Sequence, residues 1–262
     1  MNTTPTLDEL IAEASAAPVD GWDFSWFDGR ATEQRTPWGY ARLIAERMSP
    51  VGASVVRSVL DVQTGGAEVF TDALASVPTT PAVVAATESW PPNLAIASNR
   101  LNRFHGEVAE SADEAPFPFA DATFELVTSR HPTFLAWGEI ARVLAPRGTY
   151  VGQLIGDGTN RELYEFFMGP QLHPSVPQRE RLTDAVAAAG LELVALETAT
   201  TRVEFFDVAA IIVFLRKVIW TVPDFTIERY RDRIAAAHAH IQRHGSFVSY
   251  SRRVLLEARK PA

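Results

Sequence analysis

The sequence has 262 residues, 47% of them hydrophobic, and a formal net charge of −8. This length and composition are sufficient for one large globular domain with its own core. The acidic balance argues against a duplex-binding protein, which needs a basic face for phosphates. The absence of cysteine excludes disulfides, thiolate metal sites and a cysteine nucleophile.

No segment predicts secretion or a membrane span. Residues 1–5 lack the basic start and apolar run of a secretory signal. The longest apolar run, residues 208–215, is far shorter than the ~20 residues that a spanning helix needs. We therefore expect no membrane partner and a cytoplasmic location.

Predicted strands and helices alternate through the middle of the chain. Short, mostly apolar runs are typical of strands covered on both faces. Such strands are predicted at residues 55–62, 81–87, 105–109, 124–128 and 149–154. Helices are predicted between them at residues 68–74, 93–101 and 139–144. This alternation predicts a parallel sheet with helices on both faces.

Other elements flank this alternating core. A short helix at residues 6–14, a ring-rich packed loop at 21–29 and a helix opened by Pro37 are expected before it. The later helices are predicted at residues 160–167, 178–189, 208–220 and 226–243, and the later strands at 191–206 and 247–258. We predict one domain over residues 1–262, with an N-terminal cap (1–50), a core (51–156) and the later helices and last strands (157–262).

The stretch from Val59 to Glu68 carries the most information about function. A strand ends there in Asp61, and a turn of small residues opens the next helix. Glycines let a ligand approach such a turn, and a helix N-terminus offers free N–H groups to a negative group. The second strand ends at Glu88, where a carboxylate can bind ribose hydroxyls. Tight turns of this kind also occur without any ligand, so the turn alone leaves both interpretations open.

Four segments resemble those of class I S-adenosylmethionine-dependent methyltransferases. Two are the turn after Asp61 and the acid at Glu88. Residues 115–127 (APFPFADATFELV) resemble the family's LPFPDGSFDLV segment, and residues 142–150 (RVLAPRGTY) resemble its RVLKPGG segment. The resemblance implies an α/β, Rossmann-like, doubly wound sheet of seven strands, mostly parallel with an antiparallel last strand. It also implies helices on both faces, an N-terminal helical cap, a C-terminal helical insertion, and an enzyme that uses S-adenosylmethionine as methyl donor.

The resemblance also implies where the cofactor binds. The turn would hold its methionine end, Glu88 its ribose and residues 110–112 its adenine, while residues 129–131 would lie beside the reactive methyl. The implied cofactor-binding residues are Asp61, Gln63, Thr64, Gly65, Gly66, Ala67, Glu88, Ser89, Glu110, Ser111, Ala112 and Ser129.

Three positions depart from the family pattern. Gln63 and Ala67 occupy the places of the first and third glycines of the family's Asp-x-Gly-x-Gly-x-Gly turn. Ser111 stands where an acid often receives the adenine amino group. Gln63 either bonds the amino-acid end of the cofactor or obstructs the site.

Methyl transfer from a sulfonium is an in-line displacement, so the protein mainly positions and desolvates the nucleophile. No metal is expected, because His240 and His244 share a helix face without the carboxylate of hydrolytic zinc helices. His131 is the candidate base, because imidazole suits proton transfer near neutrality. The alternative is that it only shapes a turn before Pro132.

The candidate acceptor-binding residues are Trp22, Trp26, Arg130 and His131. For the two tryptophans, packing of the N-terminal segment onto the core is the competing interpretation. The acidic charge and the aromatic periphery favour a small, partly apolar acceptor over nucleic acid. The sequence does not indicate an oligomeric state.

Two other functions stay open at this point. An NAD(P)-dependent oxidoreductase needs a Gly-x-Gly-x-x-Gly turn, and the stretch from Gln63 lacks its first and last glycines. A degenerate methyltransferase fold that acts as a non-catalytic binding protein is suggested by Gln63 and Ala67.

Overall fold

The structure is a computed structural model that describes residues 5–19, 24–49 and 55–262. Its strands are β1 (Ala31–Glu33), β2 (Ser58–Val62), β3 (Val83–Glu88), β4 (Glu107–Glu110), β5 (Phe124–Arg130), β6 (Leu144–Ile155), β7 (Glu192–Phe205) and β8 (Phe247–Arg259). Its α-helices are α1 (Leu7–Ala16), α2 (Tyr40–Met48), α3 (Glu68–Ser76), α4 (Pro91–Leu101), α5 (Trp137–Val143), α6 (Arg161–Met168), α7 (Gln178–Ala188), α8 (Val208–Lys217) and α9 (Arg231–His244). Each long predicted element thus has a counterpart.

The described residues form an eight-stranded sheet with the order β1-β7-β8-β6-β5-β2-β3-β4. Pairing is parallel between β6 and β5, β5 and β2, β2 and β3, and β3 and β4. The last strand, β8, pairs antiparallel with β6. The predicted mostly parallel sheet with an antiparallel last strand is therefore confirmed.

The prediction of seven strands is wrong. The additional strand is β1, which pairs antiparallel with β7 and places Ala31 opposite Phe205. Its three residues have no apolar alternation that indicates a strand. Their extended conformation depends on the partner strand, which lies far away in the sequence.

The chain divides into two compact units. The first, here called the sheet unit, comprises Thr36–Gly156, Pro174–Ala199 and Arg253–Ala262. The second, here called the helix unit, comprises Met1–Arg35, Asp157–His173 and Thr200–Arg252. The single domain with a cap, a core and a helical insertion stays a prediction, because compactness alone does not define a folding domain.

Two hydrophobic clusters form the core of the sheet unit. Val59 of β2 packs in one cluster with side chains of α2, α3 and α4. The next residue, Leu60, packs in the other with side chains of α5 and α7. Because successive residues of a strand point to opposite faces, the two clusters cover opposite faces of β2. Every residue of β2 is buried as a result, which explains why its pattern is mostly apolar rather than alternating.

The helix predicted to open at Pro37 begins at Tyr40 instead. Gly39 precedes it in a left-handed conformation, with φ of 59°. The preceding Trp38 is buried, and its Nε1 donates to Gln153 Oε1 at 2.6 Å. A left-handed residue cannot continue a right-handed helix, so α2 begins after Gly39.

A third hydrophobic cluster forms the core of the helix unit. Helix α8 contributes more buried residues to it than any other element, because nearly all the residues of α8 are buried. Arg216 near its end donates to the carbonyl oxygens of Ala14 and Ala17, which ties α8 to the end of α1. Across the described part of the chain, no helix is both long and apolar enough to span a bilayer.

Candidate functional site

The turn between β2 and α3 has three residues with left-handed backbone. They are Gln63, Gly65 and Ala67, with φ of 54°, 62° and 61°. This conformation costs an L-residue roughly 1–2 kcal/mol and is easily adopted by glycine. The three positions are those of the glycines in the family's turn. The backbone at all three positions is therefore left-handed, although only one of them is glycine.

Gly66 is held by a contact with helix α4. Arg100 of α4 donates from Nη1 to the Gly66 carbonyl oxygen at 2.6 Å and pairs with Glu68. A Cβ on Gly66 would lie 2.7 Å from that guanidinium nitrogen. Arg100 therefore clamps the turn to α4.

Glu88 lies at the end of β3, and its carboxylate binds the turn. Oε2 accepts a hydrogen bond from Gly65 N at 2.8 Å. Oε1 accepts from Ser89 N at 3.0 Å and from Trp90 N at 2.9 Å. The side chain is nearly enclosed, with Glu88 6% exposed. Because a carboxylate offers about four acceptor positions, one is left beyond these three donors. The structure thus brings Glu88 and the glycine turn together, while their binding of ribose stays a prediction.

Asp61 is bound to the turn by a hydrogen bond from Thr64. It is buried at the end of β2, where Oδ1 accepts from Thr128 Oγ1 and Oδ2 from Thr64 Oγ1, each at 2.6 Å. Burial raises the pKa of Asp61 to about 6, although both hydrogen bonds favour the charged form. The carboxylate therefore acts on the turn through Thr64, and its contact with a cofactor stays a prediction.

The Gln63 side chain bridges β2 to the segment that follows β5. Its Nε2 donates to the Phe134 carbonyl oxygen at 2.7 Å. Its Oε1 accepts from Thr133 N at 2.7 Å and lies 3.0 Å from the Thr133 hydroxyl, which also contacts the Asp113 carboxylate. The amide that replaces the family's first glycine is thus bound to the protein itself.

His131 is held by Gln153 of β6. Its backbone N donates to the Gln153 carbonyl oxygen at 2.7 Å, and its Nε2 lies 3.0 Å from Gln153 Nε2. Trp38 Nε1 can only donate, so the Gln153 atom that it contacts must be the amide oxygen Oε1. The amide NH₂ group of Gln153 therefore faces the imidazole. Nε2 of His131 must then accept, which places the ring proton on Nδ1.

The same surroundings keep His131 uncharged. Burial, followed by the positive charges of Arg130 and Arg253, lowers its pKa to about 2. A ring with such a pKa is a weak base near neutrality, where general bases work best with a pKa close to the operating pH. The catalytic role of His131 stays a prediction, and its environment favours a hydrogen-bond donor over a proton acceptor.

We expect the His131 ring to stay neutral, with its proton on Nδ1, from pH 8 down to about pH 4. Long-range ¹H–¹⁵N spectra report both the tautomer and the titration, and His131→Gln identifies the signal. In Gln153→Glu the new carboxylate accepts from Nε2–H, so the pKa of His131 should rise by at least about one unit. A wild-type ring that titrates near pH 6.5, or one that carries its proton on Nε2, would contradict this assignment.

The remaining predicted residues have different surroundings. Ser129 is fully buried, with its Oγ 2.6 Å from Tyr150 Oη and its carbonyl oxygen accepting from Tyr40 Oη at 2.8 Å. Its side chain therefore serves the interior of the sheet unit. Arg130 lies exposed at the end of β5.

The residues implied for adenine lie where β4 ends. Glu110 is in register with Glu88 across the β3–β4 pair, and its side chain is exposed. Ser111 N donates to the Glu88 carbonyl oxygen at 3.0 Å, and its hydroxyl is 3.4 Å from the Ala112 carbonyl oxygen. These residues lie next to the Glu88 position, as the resemblance implies, while their adenine contacts stay a prediction.

The two tryptophans predicted to bind the acceptor remain predictions. Trp26 belongs to the helix unit, where the Arg30 guanidinium lies 4.5 Å from its ring centre. Trp22 lies outside the described residues. Among residues 5–19, 24–49 and 55–262, no group of three or more acidic or histidine side chains is arranged to hold a metal.

Sequence reasoning missed several residues that build this site. Thr87 accepts from Gln63 N through Oγ1 at 3.1 Å and from Thr64 N through its carbonyl at 2.9 Å. Thr128 stands in register with Asp61. The one available signal was a threonine at or next to a predicted strand end, which is too common to single out.

The fold is similar to that of several solved structures. One is a proposed methyltransferase from Bacillus halodurans C-125, with 20% identity, a TM-score of 0.58 and coverage of 86% of this chain and 99% of that one. Another is phosphoethanolamine N-methyltransferase 2 from Haemonchus contortus in complex with S-adenosyl-L-methionine, with 16% identity, a TM-score of 0.50 and coverage of 86% and 53%. A third is the [4+2]-cyclase SpnF, with 16% identity, a TM-score of 0.50 and coverage of 98% and 93%.

No protein-family model and no curated protein matches the sequence. At these identities the structural likeness establishes the fold, which is that of class I S-adenosylmethionine-dependent methyltransferases. The resemblance that the motifs indicated is therefore confirmed for the fold.

Proposed function

We propose that this protein is an S-adenosylmethionine-dependent methyltransferase that acts on a small-molecule acceptor. One observation carries the proposal: a turn with left-handed residues at 63, 65 and 67 lies against a strand-end carboxylate, with Gly65 N 2.8 Å from Glu88 Oε2. A turn of this shape lets a ligand approach the backbone, and a carboxylate at this place suits ribose hydroxyls.

The residues present fit the nucleoside part of the cofactor. Glu88 would hold the ribose through its remaining acceptor position, and residues 110–112 would border the base. The turn at residues 64–66 would hold the amino-acid part, with Asp61 fixing Thr64. When bound, the cofactor supplies an activated methyl carbon, and this chain's own residues bind, align and desolvate the acceptor.

The proposed acceptor is small rather than a nucleic acid. The net charge of −8 supports this, since a phosphate backbone requires a basic face. Near neutrality His131, with a pKa of about 2, takes up no proton. In the proposed mechanism His131 is therefore a hydrogen-bond donor beside the acceptor and does not remove the acceptor's proton.

Calorimetric titration with S-adenosylhomocysteine and with NAD tests the proposal. We expect saturable binding of the former and none of the latter. Binding of NAD alone would favour an oxidoreductase and contradict the proposal. Binding of neither ligand would also contradict the proposal.

A non-catalytic binding protein is the second candidate, and the Gln63 bridge is the observation that favours it. The cyclase of this fold also indicates that the fold alone does not determine the reaction. Incubation with methyl-labelled S-adenosylmethionine and a fractionated small-molecule extract separates the two candidates. Label transferred to a small molecule supports the methyltransferase, whereas cofactor binding without any transfer supports the binding protein.

A further inference from the structure

The Gln63 bridge lies on one side of β2 and the Glu88 contacts lie on the other. In the strand order, β2 stands between β5 and β3. Gln63 directly follows β2 and binds Thr133 and Phe134, which follow β5. Glu88 ends β3 and binds Gly65. The bridge therefore links the carboxyl ends of β2 and β5. The contacts of Glu88 lie at the carboxyl ends of β2 and β3.

A ligand that reaches from Glu88 to the end of β5 must cross this bridge. Strands β3 and β5 are two strand spacings apart, which is roughly 10 Å. A nucleoside fits within one side of that span, whereas an amino-acid tail attached to its 5′ position extends across it. The Thr133 hydroxyl also contacts Asp113, which follows β4. The segment that contains Thr133 is therefore bound both by Gln63 and by Asp113.

The bridge uses the whole Gln63 amide. Both of its polar atoms are hydrogen-bonded to backbone groups of residues 133 and 134 at 2.7 Å. Two such bonds at a position whose left-handed backbone favours glycine give this residue a defined alternative to binding a ligand. An amino-acid tail can occupy the position of the Gln63 side chain only when these two hydrogen bonds break.

We propose that Gln63 is a specificity-determining residue whose bridge occupies part of the amino-acid end of the cofactor site. The amino-acid tail then adds little to the affinity, so the protein binds a 5′-thioadenosine nucleoside about as tightly as S-adenosylhomocysteine. The inference rests on the proposed function, because it takes Glu88 as the nucleoside end of the site. Glycine at residue 63 would open the amino-acid end without changing the turn.

The test compares two ligands on matched variants by calorimetry. The ligands are S-adenosylhomocysteine and 5′-methylthioadenosine, which share the nucleoside and differ in the amino-acid tail. For the wild type we expect dissociation constants within about threefold of each other. Gln63→Gly should bind S-adenosylhomocysteine about tenfold more tightly or better, because no bridge must break, and 5′-methylthioadenosine within about twofold of wild type.

Ala67→Gly is the matched control, because it restores the other missing glycine of the turn and removes no bridge. It should leave the ratio of the two affinities unchanged. Gln63→Asn covers the case in which Gln63→Gly fails to fold: asparagine tolerates left-handed backbone, and its shorter side chain does not reach residues 133 and 134. It should reproduce the selective gain for S-adenosylhomocysteine.

Three results would overturn the inference while leaving the proposed function intact. They are an equal gain for both ligands in Gln63→Gly, the same selective gain in Ala67→Gly, and a wild type that already binds S-adenosylhomocysteine more than about tenfold better than the nucleoside. Binding of neither ligand by any variant would contradict the proposed function and the inference together.

Discussion

Replacement of Glu88 with alanine is expected to lower the free energy of unfolding by about 3 kcal/mol and to weaken S-adenosylhomocysteine binding about 100-fold. The carboxylate accepts hydrogen bonds from the N–H groups of Gly65, Ser89 and Trp90. A fully buried donor left without a partner costs roughly 1–3 kcal/mol. These three bonds are only partly buried, so water recovers part of that cost. The loss of binding follows if the same carboxylate also holds the ribose.

Urea unfolding and calorimetry measure these two effects separately. Glu110→Ala is a suitable control, because Glu110 stands in register with Glu88 but is exposed at the end of β4. It should change the free energy of unfolding by less than about 0.5 kcal/mol. Glu88→Gln keeps one acceptor oxygen and should fall between wild type and Glu88→Ala in stability.

The two effects need not occur together, and their separation is informative. A folded Glu88→Ala protein that is less stable but binds S-adenosylhomocysteine as well as wild type would show that Glu88 only organises the turn. That result would contradict the ribose role. An unchanged stability would instead mean that the three backbone donors find other partners.

The sequence predicted those elements whose pattern depends only on nearby residues. Helix α3 was expected at residues 68–74 and spans Glu68–Ser76, because its apolar spacing and the preceding turn are both local. Strand β2 could be predicted because burial on both faces favours a mostly apolar run. Strand β1 has no such pattern and exists through its pairing with β7.

The candidate site divides in the same way. The Asp61 turn and Glu88 follow from local spacing, and the structure places them together. The hydrogen-bond partners of Gln63 and His131 cannot be predicted from local spacing, because they depend on which residues the strand register brings side by side. A free imidazole suggests a base. Its lowered pKa depends first on burial in the folded sheet unit and also on Arg253, which is far away in the sequence, so the sequence alone could not predict it.

Replacement of Asp61 with asparagine is expected to stabilise the protein at pH 7 by up to about 3 kcal/mol and to have little effect at pH 4. Burial raises the pKa of Asp61 to about 6 in the folded protein, while the unfolded value is about 3.9. Between these values the folded state holds a proton that the unfolded state has lost. The stability that this proton contributes is fully present below about pH 3.9 and is lost as the pH rises through about 6, by about 1.4 kcal/mol per pH unit.

Asparagine matches the shape of the protonated carboxyl group and carries no charge at any pH. Its Oδ1 can accept from Thr128, and its Nδ2 can donate to the Thr64 hydroxyl that now donates to Asp61. The difference in unfolding free energy between Asp61→Asn and wild type, measured in urea from pH 4 to pH 7, cancels the titration of all other groups. Asp72→Asn on the exposed side of α3 serves as the control variant. A difference in unfolding free energy that is constant with pH, or one that grows as the pH falls, would mean that the pKa of Asp61 is not raised in the folded protein.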